Sequence, residues 1–157
     1  MSSTAGQAQD SVVTEIEIAA PPERVFSAIT DAKQMTRWWA SPICEHTFFE
    51  MDARLGGKWG FYTTPATQSI NGVNEFKCHG EILEFQPPKL LVCTWIANWN
   101  DKPESETIVR WELSRTTAGT RLRVIHSGLA GQNVARELYQ GGWPGVVENL
   151  KNFLEKN

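Results

Sequence analysis

Apolar and polar residues alternate through Val12 to Ala19, from Val13 onward, which is the period of a strand with one buried face. Pro21 and Pro22 end that strand, and Pro22 suits the first position of a helix, where a missing N–H costs nothing. Val25, Phe26 and Ile29 then share one helical face. Asp31 and Gln34 form a capping-box pattern for a second short helix whose apolar face is Met35, Trp38 and Trp39. From Ile43 to His126 the chain reads as strand and turn throughout. Ile43 to Arg54 is extended, Gly56-Gly57 turns, and Lys58 to Thr64 returns. Glu75 to Gln86, Leu90 to Ala97, Glu106 to Arg115 and Arg121 to His126 are further strands, with Pro87-Pro88 and Thr117 to Gly119 as turns. About seven strands in succession, without helical crossovers, predict an antiparallel sheet.

Such a sheet buries one face and needs a cover. The C-terminal segment supplies it: Leu138, Trp143, Val146, Val147, Leu150, Phe153 and Leu154 trace a helical stripe, with Asn133 as a reasonable N-cap. The expected architecture is α+β, a curved sheet holding a long C-terminal helix with an apolar pocket between them. One local conflict stands out. Gly141-Gly142-Trp143-Pro144-Gly145 is poor helix sequence, because each glycine costs about 1 kcal/mol and an interior proline about 3 kcal/mol. A kink or break is expected there, with either a separate turn before it or small residues leaving room beneath the helix.

Length and charge exclude more than they assign. The 157 residues suit one domain, taken as 12–157 after a disordered tail at 1–11. The tail lacks the cationic start and apolar core of a secretory signal, so a cytoplasmic location is the default expectation. Net charge is −3 with both signs dispersed, which disfavours a nucleic-acid partner. No run approaches the roughly 20 apolar residues of a membrane span. The three cysteines, Cys44, Cys78 and Cys93, have no close pairing and read as reduced thiols, with no metal and no cofactor expected. The seven tryptophans are the unusual feature, suited equally to a deep core or to the walls of an apolar cavity.

The order of the pieces PPERVFSAITDAKQMTRWW (Pro21 to Trp39), LGGKWGF (Leu55 to Phe61), GEILEFQPPKLLVCTW (Gly80 to Trp95), GTRLRVIHSGL (Gly119 to Leu129) and GGWPGVVENLKNFL (Gly141 to Leu154) is distinctive. It resembles the activator of heat-shock-protein-90 ATPase homologue-like family, within the START-like (SRPBCC) helix-grip superfamily. The resemblance implies a β-α-α-β6-α arrangement. It also implies a cavity that takes lipids, polyketides or other apolar molecules, and in some relatives catalyses cyclisation or hydrolysis. Pro144-Gly145 departs from the family pattern, in which the glycine-tryptophan pair runs into a regular helix.

No nucleophile elbow, zinc-helix or phosphate-loop motif occurs. Of the three histidines, His126 shares a strand face with Leu122 and Val124, which makes it either a hydrogen-bonded core residue, the commoner case, or a residue facing the pocket. The favoured reading is noncatalytic binding of an apolar small molecule by Trp39, Trp59, Phe61, Cys78, Trp95, Trp111, His126 and Trp143. Two alternatives stay open. One is an enzyme using His126 as acid or base. The other is an interaction module, a homodimer or chaperone partner, meeting its target through an exposed loop around Trp99.

Overall fold

The computed structural model describes residues 10–156. The expected tail falls mostly outside them, and Asp10, the first described residue, is tied by hydrogen bonds from the Gly128 and Leu129 N–H groups. Strand β1 (Val12–Ile18) is followed by helices α1 (Pro22–Thr30) and α2 (Ala32–Trp38). Then come β2 (Thr47–Met51), β3 (Lys58–Thr63), β4 (Lys77–Gln86), β5 (Leu90–Ala97), β6 (Thr107–Thr116), β7 (Gly119–Ser127) and helix α3 (Asn133–Glu155). The strands form one antiparallel sheet in the order β1-β7-β6-β5-β4-β3-β2. The predicted β-α-α-β6-α helix-grip architecture is present.

Alternation decides which face of each strand is inside. In β7 the buried residues are Thr120, Leu122, Val124 and His126, while Arg121 and Arg123 point out. In β6 Thr107, Val109, Trp111 and Leu113 are buried. The outer face carries an ion-pair ladder from Glu15 through Arg123, Glu112 and Arg110 to Glu84. Exposed pairs of this kind stabilise by about 0–1 kcal/mol each, so the ladder marks the wet face and does little to hold the fold.

Helix α3 covers the inner face and is anchored at both ends. At its start the Asp101 carboxylate, from the β5–β6 loop, accepts from the Ala135 N–H at 2.8 Å and the Val134 N–H at 3.2 Å. Desolvation opposes the charge on Asp101, but these backbone bonds outweigh it and hold the carboxyl below its ordinary pKa. Asn133 is thus the first helical residue, and the cap comes from a distant loop. At the other end Glu155 accepts from the Ala19 N–H at 2.8 Å, and Lys151 Nζ donates to the Glu17 carbonyl at 2.9 Å.

Between these anchors α3 runs unbroken through Pro144, which corrects the expected break at Gly141 to Gly145. Burial explains it. Ala135, Tyr139, Trp143, Val147, Leu150 and Leu154 form one buried stripe, and their packing outweighs the poor local propensity. Pro144 and Gln140 lie on exposed positions, so the Gln140 carbonyl that proline deprives of a donor can be solvated.

One glycine is demanded by close approach. A Cβ on Gly80 in β4 would lie 1.9 Å from the Thr94 carbonyl oxygen and 2.6 Å from Trp59 Nε1. It would break the 2.9 Å bond in which the Trp59 indole donates to that same oxygen. Gly80→Ala is expected to destabilise by about 1–3 kcal/mol. At Gly142 an added Cβ meets nothing within 4 Å, so Gly142→Ala should instead stabilise by about 1 kcal/mol through helix propensity. Urea unfolding of both variants checks the contrast, and equal midpoints would refute it.

Candidate functional site

Two stripes of α3 face different things. The stripe through Tyr139, Trp143 and Val147 enters the core, with Tyr139 and Trp143 at the border where core meets cavity. The adjacent stripe, Glu137, Gly141, Gly145 and Asn149 with Leu138, Gly142 and Val146, lines a cavity of about 810 Å³. Its glycines leave bare backbone where side chains would otherwise fill the space. The opposite walls come from the segment 39–44 after α2, the loop around Gln68 and Ile70, and Phe61, Phe76, Trp95 and Trp99.

The sheet and α2 converge their rings on this space. Trp39, at the end of α2, sits 5.6 Å from Phe61, 5.9 Å from Trp143 and 6.3 Å from Trp95. Trp95 on β5 is the hub, also contacting Trp59, Trp99 and Tyr139. The rings meet in tilted or edge-to-face geometry, the arrangement their quadrupoles favour.

Of the residues singled out from the sequence, Trp39, Phe61, Trp95 and Trp143 line the cavity. Trp59 and Trp111 lie behind it, on a much smaller void of about 20 Å³ shared with Trp39 and Trp95. Cys78 and His126 are buried in the core and do not line the cavity. Burial raises the Cys78 thiol well above its ordinary pKa and pushes Cys93 up to about 12. Cys44 is half-buried and stands on the cavity wall.

His126 is the centre of a hydrogen-bond chain whose direction can be deduced. An indole N–H can only donate, so the 3.2 Å contact of Trp143 Nε1 with His126 Nδ1 makes Nδ1 the acceptor. The proton is then on Nε2, which donates to Thr107 Oγ1 at 2.8 Å. Thr107 in turn donates to the Trp95 carbonyl at 2.7 Å. A second chain starts from the Trp95 indole, which donates to Tyr139 Oη at 3.0 Å, and Tyr139 donates to Asn100 Oδ1 at 2.6 Å. Desolvation pulls the His126 pKa down from 6.5 to about 3. Desolvation likewise raises Tyr139, with Cys78 adding to it, so the hydroxyl keeps its proton. With both ring nitrogens engaged inside the protein, His126 has none free to take a proton from a cavity-bound molecule.

Sequence reasoning missed Trp99, Phe76 and Tyr139. Trp99 is not the exposed contact expected of it: it is buried against Phe76, Phe61, Trp95 and Tyr139. Its loop is polar in sequence, and only the fold turns the indole inward. Tyr139 was legible, being four residues before Trp143 on the same helical stripe. Among the described residues, two buried side-chain donors, Trp99 Nε1 and Asn100 Nδ2, have no acceptor. Both adjoin the Tyr139 end of the cavity. No described helix is long and apolar enough to cross a membrane.

Solved structures with this fold are numerous. Protein MLL2253 from Mesorhizobium loti aligns with a TM-score of 0.73 at 26% identity, over 94% of this chain and 98% of its own. Protein CV1439 from Chromobacterium violaceum gives 0.75 at 23% identity, over 93% and 98%. DynU16, a protein in the dynemicin biosynthetic locus, gives 0.71 at 19% identity, over 93% of this chain and 47% of its own. Comparison with the curated proteins finds no match. The family model described as Activator of Hsp90 ATPase homolog 1-like protein matches residues 19–155, nearly the whole length that the sheet and its gripped helix occupy. The chain belongs to that family.

Proposed function

We propose that this protein binds a small, ring-bearing apolar molecule in the cavity beneath α3 and holds it without chemical change. The observation that carries the reading is the cavity itself: about 810 Å³, walled by aromatic rings on one side and by the glycine face of α3 on the other. Ligand pockets generally measure about 300–1,000 Å³, with apolar walls and a few polar groups. The buried and doubly bonded His126 favours holding over turnover. The location of DynU16 in a biosynthetic locus is in keeping with a small-molecule occupant.

Native mass spectrometry of freshly purified protein should detect a retained small molecule. A defined probe, 1-pyrenemethanol, should bind in equilibrium dialysis. Gly142→Phe, which adds a ring to a wall position with open space around it, should weaken that binding about tenfold, the equivalent of one lost ring contact of about 1.4 kcal/mol. Equal affinity in both proteins would place the probe elsewhere and refute the reading.

A further inference from the structure

We infer that the cavity selects its occupant by charge, taking ring systems that carry a protonated amine and rejecting those that carry a carboxylate. This rests on the binding reading above and adds to it the chemical class of the ligand.

Two features of the wall support it independently. First, among the described residues, those lining the cavity include no lysine, arginine or histidine. The lining polar groups are neutral, such as Ser41, Gln68 and Asn149, apart from one carboxylate, Glu137 on α3. Glu137 is exposed, takes part in no ion pair among the described residues, and lies one turn before the glycine face. A second carboxylate, Glu45, directly follows the wall residue Cys44. It is exposed and only loosely opposed by His46 at 3.8 Å. Second, the walls are aromatic, and ring faces carry partial negative charge. They attract an ammonium group and repel a carboxylate. A carboxylate entering here would lose water with no cation to replace it. An ammonium group would leave water for ring faces and Glu137.

The test compares three probes with one ring system: 1-pyrenemethylamine, 1-pyrenemethanol and 1-pyrenecarboxylic acid, each measured by equilibrium dialysis at low salt. The amine should bind about fivefold more tightly than the alcohol, the scale of one exposed ion pair with a cation–π contribution. The acid should bind more weakly than the alcohol by a similar factor, and high salt should compress both gaps. Glu137→Gln should bring the amine close to the alcohol, and Glu137→Lys should bring the acid up to the alcohol or beyond it. Glu137 is exposed on a helix held at both ends, so circular dichroism should show both variants folded.

If the alcohol binds and Gly142→Phe weakens it, but amine and acid bind alike, charge selection is wrong and the cavity reading stands. If Glu137→Gln leaves the amine's advantage whole, the role of Glu137 is refuted. If none of the three probes binds, both readings fall.

Discussion

Replacing Trp143 with alanine should destabilise the protein by about 3–5 kcal/mol, the range for deleting a buried large aromatic side chain. The indole is almost wholly buried and touches the rings of Trp39, Trp95, Trp111 and His126. It is the point where α3 locks onto the sheet, and it stands beside the helix's weakest sequence. Trp143→Phe separates the two contributions. The ring stays, but His126 Nδ1 loses its donor and remains buried, which costs about 1–3 kcal/mol. Urea unfolding of both variants gives the values. A phenylalanine variant as stable as the parent would show that the indole–imidazole bond holds nothing. An alanine variant losing under about 2 kcal/mol would show that the helix is held elsewhere.

The second large effect is on acid stability. His126 titrates near its ordinary 6.5 when the chain is unfolded and at about 3 when folded. Between those values the unfolded chain binds a proton that the folded chain refuses, so stability increases with pH there. The stabilisation from a neutral His126 is complete above about pH 6.5 and falls by about 1.4 kcal/mol for each pH unit below it, until the folded value is reached. His126→Gln has no such titration. The stability gap between parent and variant should therefore shrink as pH is lowered from 6.5, with carboxylates common to both cancelling in the difference. Parallel stability profiles would refute the assignment. The same comparison bears on the enzyme reading, since a histidine protonating only near pH 3 cannot serve as a base poised near neutrality.

These effects show what the sequence could and could not disclose. Strand alternation was plain from Thr107 to Ser127 because one face of each strand is wet and the other dry, so Trp111 and His126 were readable as inward. Inward, however, is not the same as cavity-lining. Trp59, Trp111, Cys78 and His126 all point to the interior and end in packed core, because periodicity gives the side of the sheet and not the depth behind it. Trp99 reads as exposed for the opposite reason. Its neighbours are polar, and only the closure of the β5–β6 loop onto α3, through Asp101 and Gln132, folds it inward. The glycine run is the clearest local signal, but propensity alone points to a kink or break and does not show that the helix continues. The buried stripe on either side keeps the helix whole, and the glycines show their effect as empty space on its other face.

The ring network has one further consequence, which is optical. Trp38 lies 5.5 Å from Trp39, Trp39 reaches Trp95 and Trp143, Trp95 reaches Trp59 and Trp99, and Trp143 reaches Trp111. All seven indoles thus belong to one connected array with Trp95 at its junction. Excited-state energy absorbed by any of them is shared across such separations, so the protein emits as a single antenna. An occupant able to accept that energy at one wall would dim the whole array, including tryptophans it never touches.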